Sequence, residues 1–264
     1  MTSTEIDALR QLYTEYERIR PAHVGVQRDV LPNLIRQIPV DANDHGTVIY
    51  SQLNAADADA TIQAQIDYFA ELGCDFEWKH YDYDTPPDLK ARLEVHGFEL
   101  EETETIMALP LATAPAELLR PITHDVRRVH SLDELDAIKR IKEEVWGEER
   151  DFVIQFLRLS LTQHPERMSI YIAYAGETPV SCGWLYVPED NPFASLWGGS
   201  TLAAHRKQGF YTALLAVRVQ EAIARGKAYL TIDASPMSRP IVERFGFMRL
   251  AESTPCLWHA QPRP

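Results

Sequence analysis

Apolar positions along this chain recur at two spacings, one of three to four residues and one of two. The spacings alternate from start to end. Between Glu5 and Ile19 the apolar residues are Ile6, Leu9, Leu12, Tyr13, Tyr16 and Ile19, a helical spacing that Pro21 stops. Leu31 to Ile38, before Pro39, reads as a second short helix, and Gly46 to Ser51 as a strand. Ala60 to Leu72 predicts a helix with Ile62, Ile66 and Phe69 on one face and Gly73 as its stop. Asp75 to Tyr81 alternates as a strand, Pro86 to Val95 is helical with proline in its first turn, and Leu100 to Leu109 is extended. The pattern restarts with a strand at Val126 to Val129. A capping-box sequence, Ser131-Leu132-Asp133-Glu134, opens a helix carrying Leu135, Ile138, Ile141, Val145 and Trp146. Gly147 ends it and Phe152 to Leu161 forms another helix. A hairpin follows, Ser169 to Tyr174 and Val180 to Val187, turning at Gly176-Glu177-Thr178-Pro179. Strand Ala194 to Trp197, helix Phe210 to Ala224, strand Ala228 to Asp233 and a last helix ending in Gly246-Phe247 complete the pattern.

The two halves repeat one order. A long helix, a glycine, a strand and a helix ending in Gly-Phe occur twice, from Gly73 to Gly97 and from Gly226 to Gly246, with spacings of 24 and 20 residues. Prolines at 110, 115 and 121 mark a linker between them. The expected organisation is an α/β (α+β) protein of two similar units, residues 1–112 and 124–264, joined by 113–123. Each unit would be a mixed, mostly antiparallel sheet flanked by helices.

Chemistry concentrates in the second half. The strand at Ala194 to Trp197 leads through Gly198-Gly199-Ser200-Thr201 to Arg206-Lys207-Gln208-Gly209-Phe210-Tyr211-Thr212, where a helix begins. A helix start exposes backbone N–H groups without intrahelical partners and carries a partial positive charge. Two basic residues and a glycine beside it suit phosphate oxygens. The same position in the first half, Asn54-Ala55-Ala56-Asp57-Ala58-Asp59, has no glycine or basic residue and two aspartates that would repel phosphate.

Arg206 to Tyr211 resembles the Arg/Gln-x-x-Gly-x-Gly/Ala pyrophosphate loop of the GNAT superfamily of N-acetyltransferases. The resemblance extends from about Asp125 to the C-terminus and, more weakly, over Gly46 to Leu109. It implies that acetyl-CoA binds the second unit once per chain and that the first unit is a degenerate copy. Gly199, Ser200 and Thr201 would pair with pantetheine; Arg206, Lys207, Gln208, Gly209, Phe210, Tyr211 and Thr212 would hold the pyrophosphate. Ser235 sits where the family often places an Asn near the cofactor, and is also expected as the N-cap of the last helix. The sequence departs from the family in two places. Tyr211 replaces the last small residue of the loop, so its ring must turn away or pack along the cofactor. Val242 stands four residues before Gly246, where the family often has a Tyr acid.

No catalytic residue is therefore assigned. Glu189, Asp190, Asp233, Tyr211 and His205 lie near enough to be considered as bases, but residues of these kinds are more often solvated or capping, and His205 reads first as a surface residue. The five tryptophans, Trp78, Trp146, Trp184, Trp197 and Trp258, read as core, with Trp184 and Trp197 as possible walls of an acceptor pocket. The implied reaction is attack of an amine, on a small molecule or a peptide, on the thioester of acetyl-CoA. A CoA-binding regulator without turnover and a site for another phosphate ligand are the alternatives.

Composition narrows the partners. The net charge of −13 argues against nucleic acid and anionic membrane. Cys74, Cys182 and Cys256 are odd in number and widely spaced, so neither a disulfide framework nor a zinc site is expected. No basic-then-apolar leader opens the sequence and no 18-residue apolar run follows, which predicts a cytoplasmic protein without metal. Oligomeric state and acceptor identity are not legible.

Overall fold

A computed structural model describes residues 2–21, 26–40, 45–147 and 151–260. The chain forms two compact units, interleaved in sequence. One holds Met1–Ile106, Ala234–Met237 and Arg249–Pro264; the other holds Met107–Asp233 and Ser238–Met248.

The first unit opens with α1 (Ser3–Tyr13), which continues as a π-helix over Thr14–Ile19. The expected helix at Leu31 to Ile38 is instead a hairpin, β1 (Val26–Leu31) and β2 (Leu34–Pro39), with Leu31 opposite Leu34 across a two-residue Pro-Asn turn. Pro32 and Asn33 favour the turn; β2 is buried on both faces at Leu34 to Gln37, polar Arg36 and Gln37 included, so the apolar residues left to read, Leu31, Leu34, Ile35 and Ile38, fall three and four apart like a helix face. β3 (Gly46–Ser51), α2 (Ala58–Leu72) and β4 (Phe76–Tyr81) follow, and β3 lies parallel to β4. Gly73 closes α2 in the left-handed conformation (φ +68°). Helix α3 (Leu89–Val95) starts later than expected, after a turn at residues 86–88, and precedes β5 (Glu99–Leu100) and β6 (Glu104–Pro110). Ile62, Ile66 and Phe69 of α2 and Leu89 and Leu93 of α3 pack with Val48, Phe76 and Trp78 in one core.

In the second unit, residues 113–123 contain α4 (Ala116–Leu119), whose Leu118 is buried. β7 (Asp125–Arg128), α5 (Leu135–Trp146), α6 (Asp151–Gln163), β8 (Met168–Ala175) and β9 (Thr178–Tyr186) follow the expected order. Glu134 accepts the backbone N–H groups of His130 and Ser131 at 2.8 and 2.9 Å, fixing the entry to α5. Then come β10 (Phe193–Thr201), α7 (Phe210–Ala224), β11 (Tyr229–Ala234) and α8 (Arg239–Glu243). The sheet runs β11-β10-β9-β8-β7, with β10 parallel to β11 and the other pairs antiparallel. The helices α5 and α6 cover one face through Ile138, Ile141 and Leu157; α7 covers the other through Phe210 and Leu214.

The interleaving has a simple cause. The final strand, β12 (Met248–Trp258), pairs with β4, while β6 lies beside β11. Each half of the sequence thus ends in a strand that completes the sheet of the other half, and unit boundaries cannot coincide with 1–112 and 124–264. Both units contain a parallel strand–helix–strand, β3-α2-β4 and β10-α7-β11. Among the described residues no helix is long and apolar enough to cross a membrane, and Cys74, Cys182 and Cys256 are buried.

Candidate functional site

The parallel pair β10–β11 is short. It is registered from Phe193 opposite Tyr229 to Leu196 opposite Ile232 and then stops. Beyond that point β10 continues for five residues, Trp197 to Thr201, bonded to β9 on one edge only. The second edge of Trp197–Thr201 has no strand neighbour among the described residues.

This segment contains a bulge. Trp197 pairs with Trp184 and Ser200 with Cys182, so Gly198 and Gly199 together oppose Gly183. Gly198 has φ +67°, and a Cβ built on it would fall inside the Trp184 ring. Only glycine fits both constraints. Gly199 meets nothing closer than the Tyr211 ring, 3.5 Å from its Cβ position. Tyr211 therefore turns its ring under the strand and away from the loop. Burial raises the pKa of its hydroxyl, with Arg218 acting against the rise. A base role for Tyr211 is disfavoured accordingly.

The loop after β10 builds a concave set of donors. The sign of φ alternates, with Lys207 at +61° and Gly209 at +89°, Gln208 between them and helical Phe210 after. Alternation of this kind makes successive N–H groups converge. No acceptor among the described residues takes the N–H of Gly209, Phe210, Tyr211 or Thr212; the first helical bond runs from Ala213 to the carbonyl of Gly209, at 2.9 Å. Phe210 anchors the loop by burying its ring among Tyr171, Ala173, Val180 and Leu214. Arg206 and Lys207 are exposed; Arg206 Nε donates to the carbonyl of Thr201 at 3.2 Å, and Gln208 Nε2 to that of Ala204 at 2.9 Å.

Three buried or half-buried groups, none visible in the sequence, support this site. Lys142 of α5, 7 % exposed, and the indole N–H of Trp146 both donate to Ser200 Oγ at 3.2 Å. They occupy both lone pairs of the hydroxyl, which leaves its hydrogen as a donor. Arg218 of α7 is fully buried and donates to the carbonyls of Leu214 (2.8 Å) and Trp184 (3.3 Å), fastening α7 to β9 opposite the bulge. Burial lowers its pKa, with Tyr211, Cys182 and Tyr171 acting against this. His124, just before β7, lies against Gly209. Burial pushes the Cys182 thiol up to about 12, against the pull of Lys142 and Arg218, so it carries no thiolate at neutral pH.

The remaining expected residues are placed as follows. Ser235 lies in a turn after β11 and does not cap α8, whose N-cap is Ser238; the helix begins three residues later than the prolines suggested. Ser235 also groups with the other unit, in Ala234–Met237. Val242 is fully buried. His205 packs edge-on to Phe210 with its Nδ1 buried and unbonded. Glu189 and Asp190 line a cavity of about 310 Å³ with Arg167, Arg225 and Lys227, beside the start of β10 rather than its end. The nine-residue strand β10 separates that cavity from the loop by roughly 25 Å. Of the tryptophans, Trp78 and Trp184 are core, but Trp146 and Trp197 are 44 % and 42 % exposed. Trp146 ends its helix, and Trp197 sits beyond the last register pair of β10 with β11, which leaves both rings half-exposed.

Residues 131–247 match the sequence model of the acetyltransferase (GNAT) family. No curated protein matches the chain by sequence. Among solved structures, a GCN5-related N-acetyltransferase from Kribbella flavida superposes with a TM-score of 0.67 at 16 % identity, over 96 % of this chain and 95 % of that one. A tandem GNAT protein from the clavulanic acid biosynthesis pathway gives 0.60 at 12 % identity, over 98 % and 89 %. A GCN5-related N-acetyltransferase from Sphaerobacter thermophilus gives 0.57 at 15 % identity, over 88 % and 78 %. These likenesses are of fold.

Proposed function

For this chain, whose residues 131–247 match the acetyltransferase (GNAT) family, we propose acetyl-CoA-dependent transfer of an acetyl group to an amine at the second unit. The observation that carries the reading is the edge of β10 from Gly198 to Thr201, which has no strand neighbour among the described residues and runs directly into the unpaired N–H groups of Gly209 to Thr212.

These parts fit the cofactor in order. The edge of Gly199, Ser200 and Thr201 that faces away from β9 is where pantetheine amides would pair. The N–H groups of residues 209–212, with Arg206 and Lys207 beside them, would hold the pyrophosphate. Acetyl-CoA supplies an activated acetyl group and a thiol of pKa near ~8.5, which departs as thiolate without a dedicated acid. The chain supplies position and charge stabilisation. A strand N–H freed by the Gly198–Gly199 bulge is placed to donate to oxygen developing charge at the acetyl carbonyl. The Ser200 hydroxyl, with both lone pairs occupied, adds a donor where the family tyrosine is absent. As the amine attacks, the C–N bond forms and the C–S bond breaks; no base is assigned among the described residues, and the amine proton leaves through water. The half-exposed rings of Trp146 and Trp197 offer the acceptor an apolar surface, and the acidic chain attracts cationic amines. A small-molecule amine is the preferred acceptor and a peptide amine the alternative, in a cytoplasmic setting.

One cofactor per chain follows from the first unit. There β3 and β4 also part after Val48 and Trp78, but the gap is closed. Arg18 donates to the carbonyl of Ile49 (3.1 Å) and bidentately to Asp84 (2.7 and 3.0 Å), and Leu53 and Thr85 exchange hydrogen bonds. A second reading, CoA binding without turnover, draws on buried Val242 at the position of the family acid. Calorimetry with CoA and a thiol-release assay across amines, aminoglycosides, polyamines, amino acids and peptides separate the two. One CoA per chain with thiol release supports the enzyme. Binding with no release above a Gly209→Trp control supports the second reading, and two equivalent sites contradict both.

A further inference from the structure

His124 is 84 residues before the loop, on no motif, yet its ring is the loop's nearest outside contact. Nε2 lies 2.9 Å from the carbonyl oxygen of Gln208. A carbonyl can only accept, so Nε2 must carry a hydrogen, whether the ring is neutral or protonated. The ring stands edge-on to Phe210 at 4.9 Å between centroids, and a Cβ on Gly209 would come within 2.8 Å of its Cε1. A side chain at Gly209 would therefore displace the His124 ring, in addition to the strain of a φ of +89°.

The consequence lies in the peptide plane. The bond between Gln208 and Gly209 is trans, so the Gln208 carbonyl and the Gly209 N–H share one plane and point in opposite directions. With the carbonyl held on His124, the N–H is aimed away from it, and no acceptor among the described residues takes that N–H. This is the first of the four converging donors. Without the imidazole, that peptide is free to rotate, and the two left-handed residues around it, Lys207 and Gly209, lose the contact that fixes their alternation.

We propose that His124 is a positioning residue that preorganises the phosphate-binding loop by holding the Gln208–Gly209 peptide in its donor-outward orientation. The inference rests on the cofactor reading above, deepening it from which groups bind to what aims them. His124 touches no reacting atom. Its effect belongs to ligands that carry a pyrophosphate and not to the acyl-pantetheine portion.

The test compares acetyl-CoA with S-acetylpantetheine, which lacks the pyrophosphate, in the full-length protein. His124→Phe keeps an aromatic ring against Phe210 and Gly209 but removes the donor; His124→Asn keeps a donor and removes the ring. The expected result is a rise of roughly five- to tenfold in the ratio of KM for acetyl-CoA to KM for acetylpantetheine in His124→Phe, the scale of one hydrogen bond. The change should fall on KM rather than kcat, and His124→Asn should recover part of it. An unchanged ratio in His124→Phe, or equal losses on both thioesters, overturns the inference while leaving the cofactor site standing. Failure of the unmodified protein to bind CoA at all overturns both.

Discussion

Replacing Gly198 by alanine isolates what the bulge contributes, because Gly199 beside it is an internal control. At Gly198 the backbone is left-handed (φ +67°), which costs a residue with a Cβ about 1–2 kcal/mol. The new methyl would also fall within the Trp184 ring, well inside the ~3.5–4 Å of a carbon–carbon contact. Trp184 is 6 % exposed in a packed core, so accommodating the methyl adds about 1–3 kcal/mol of overpacking. Together Gly198→Ala should cost about 2–5 kcal/mol, or lower Tm by roughly 10 °C in a chain of this size. At Gly199 the same methyl meets only the Tyr211 ring at 3.5 Å and the backbone is not left-handed. Gly199→Ala should lie between neutral and about 1 kcal/mol stabilising, through loss of unfolded-state entropy. Urea denaturation followed by tryptophan fluorescence measures both, and a thiol-release assay follows the same samples. Activity should fall further in Gly198→Ala than its folded fraction explains, since flattening the bulge returns the freed N–H to the ladder. Equal stability losses for the two variants would refute this account of the bulge, as would a Gly198→Ala protein with unchanged midpoint and turnover.

In the first unit, Asp84→Ala leaves the fully buried Arg18 guanidinium without its bidentate partner and should cost about 3–5 kcal/mol in urea unfolding. The Arg18→Met/Asp84→Leu pair should recover most of that; a mild effect of Asp84→Ala alone would show that the ion pair is not what closes this unit's strand gap. Ser200→Ala should lower kcat by about 10-fold or more, since it removes the hydroxyl donor, and should also cost about 1–3 kcal/mol of stability because the buried Lys142 ammonium loses an acceptor; unchanged kcat in the folded protein would remove the hydroxyl from the mechanism. Burial lowers the pKa of His80, which Asp84 partly opposes and Lys90 and Arg18 reinforce. The unfolded chain then binds more protons than the fold between the lowered pKa and about 6.5, so stability contributed by neutral His80 is lost as pH falls below about 6.5. His80→Gln should flatten that acid limb of the urea midpoint; a limb as steep as in the unmodified protein would assign it to the carboxylates instead.

The sequence by itself determined what depends on near neighbours along the chain. The helix from Phe210 to Ala224, its approach through a glycine and two basic residues, the glycine stop at Gly73 and the capping box at Ser131 are all local, set by backbone freedom and by partners three or four residues away. So is the absence of basic residues in the turn before α2. Tertiary structure decided what depends on register and on chain crossing. The exchange of β6 and β12, which interleaves the units, follows from strand pairing that no periodicity records. The β1–β2 hairpin escaped because a strand buried on both faces has no alternation to read. The bulge at Gly198–Gly199 is visible only against Gly183 on the neighbouring strand, and exposure of Trp146 and Trp197 only once the sheet edge is known. Lys142, Arg218 and His124 reach the site from 58, 34 and 84 residues away from the atoms they bond, at Ser200, Trp184 and Gln208. Side-chain hydrogen bonds at such separations leave no spacing in a single sequence, because their geometry exists only after the sheet has formed.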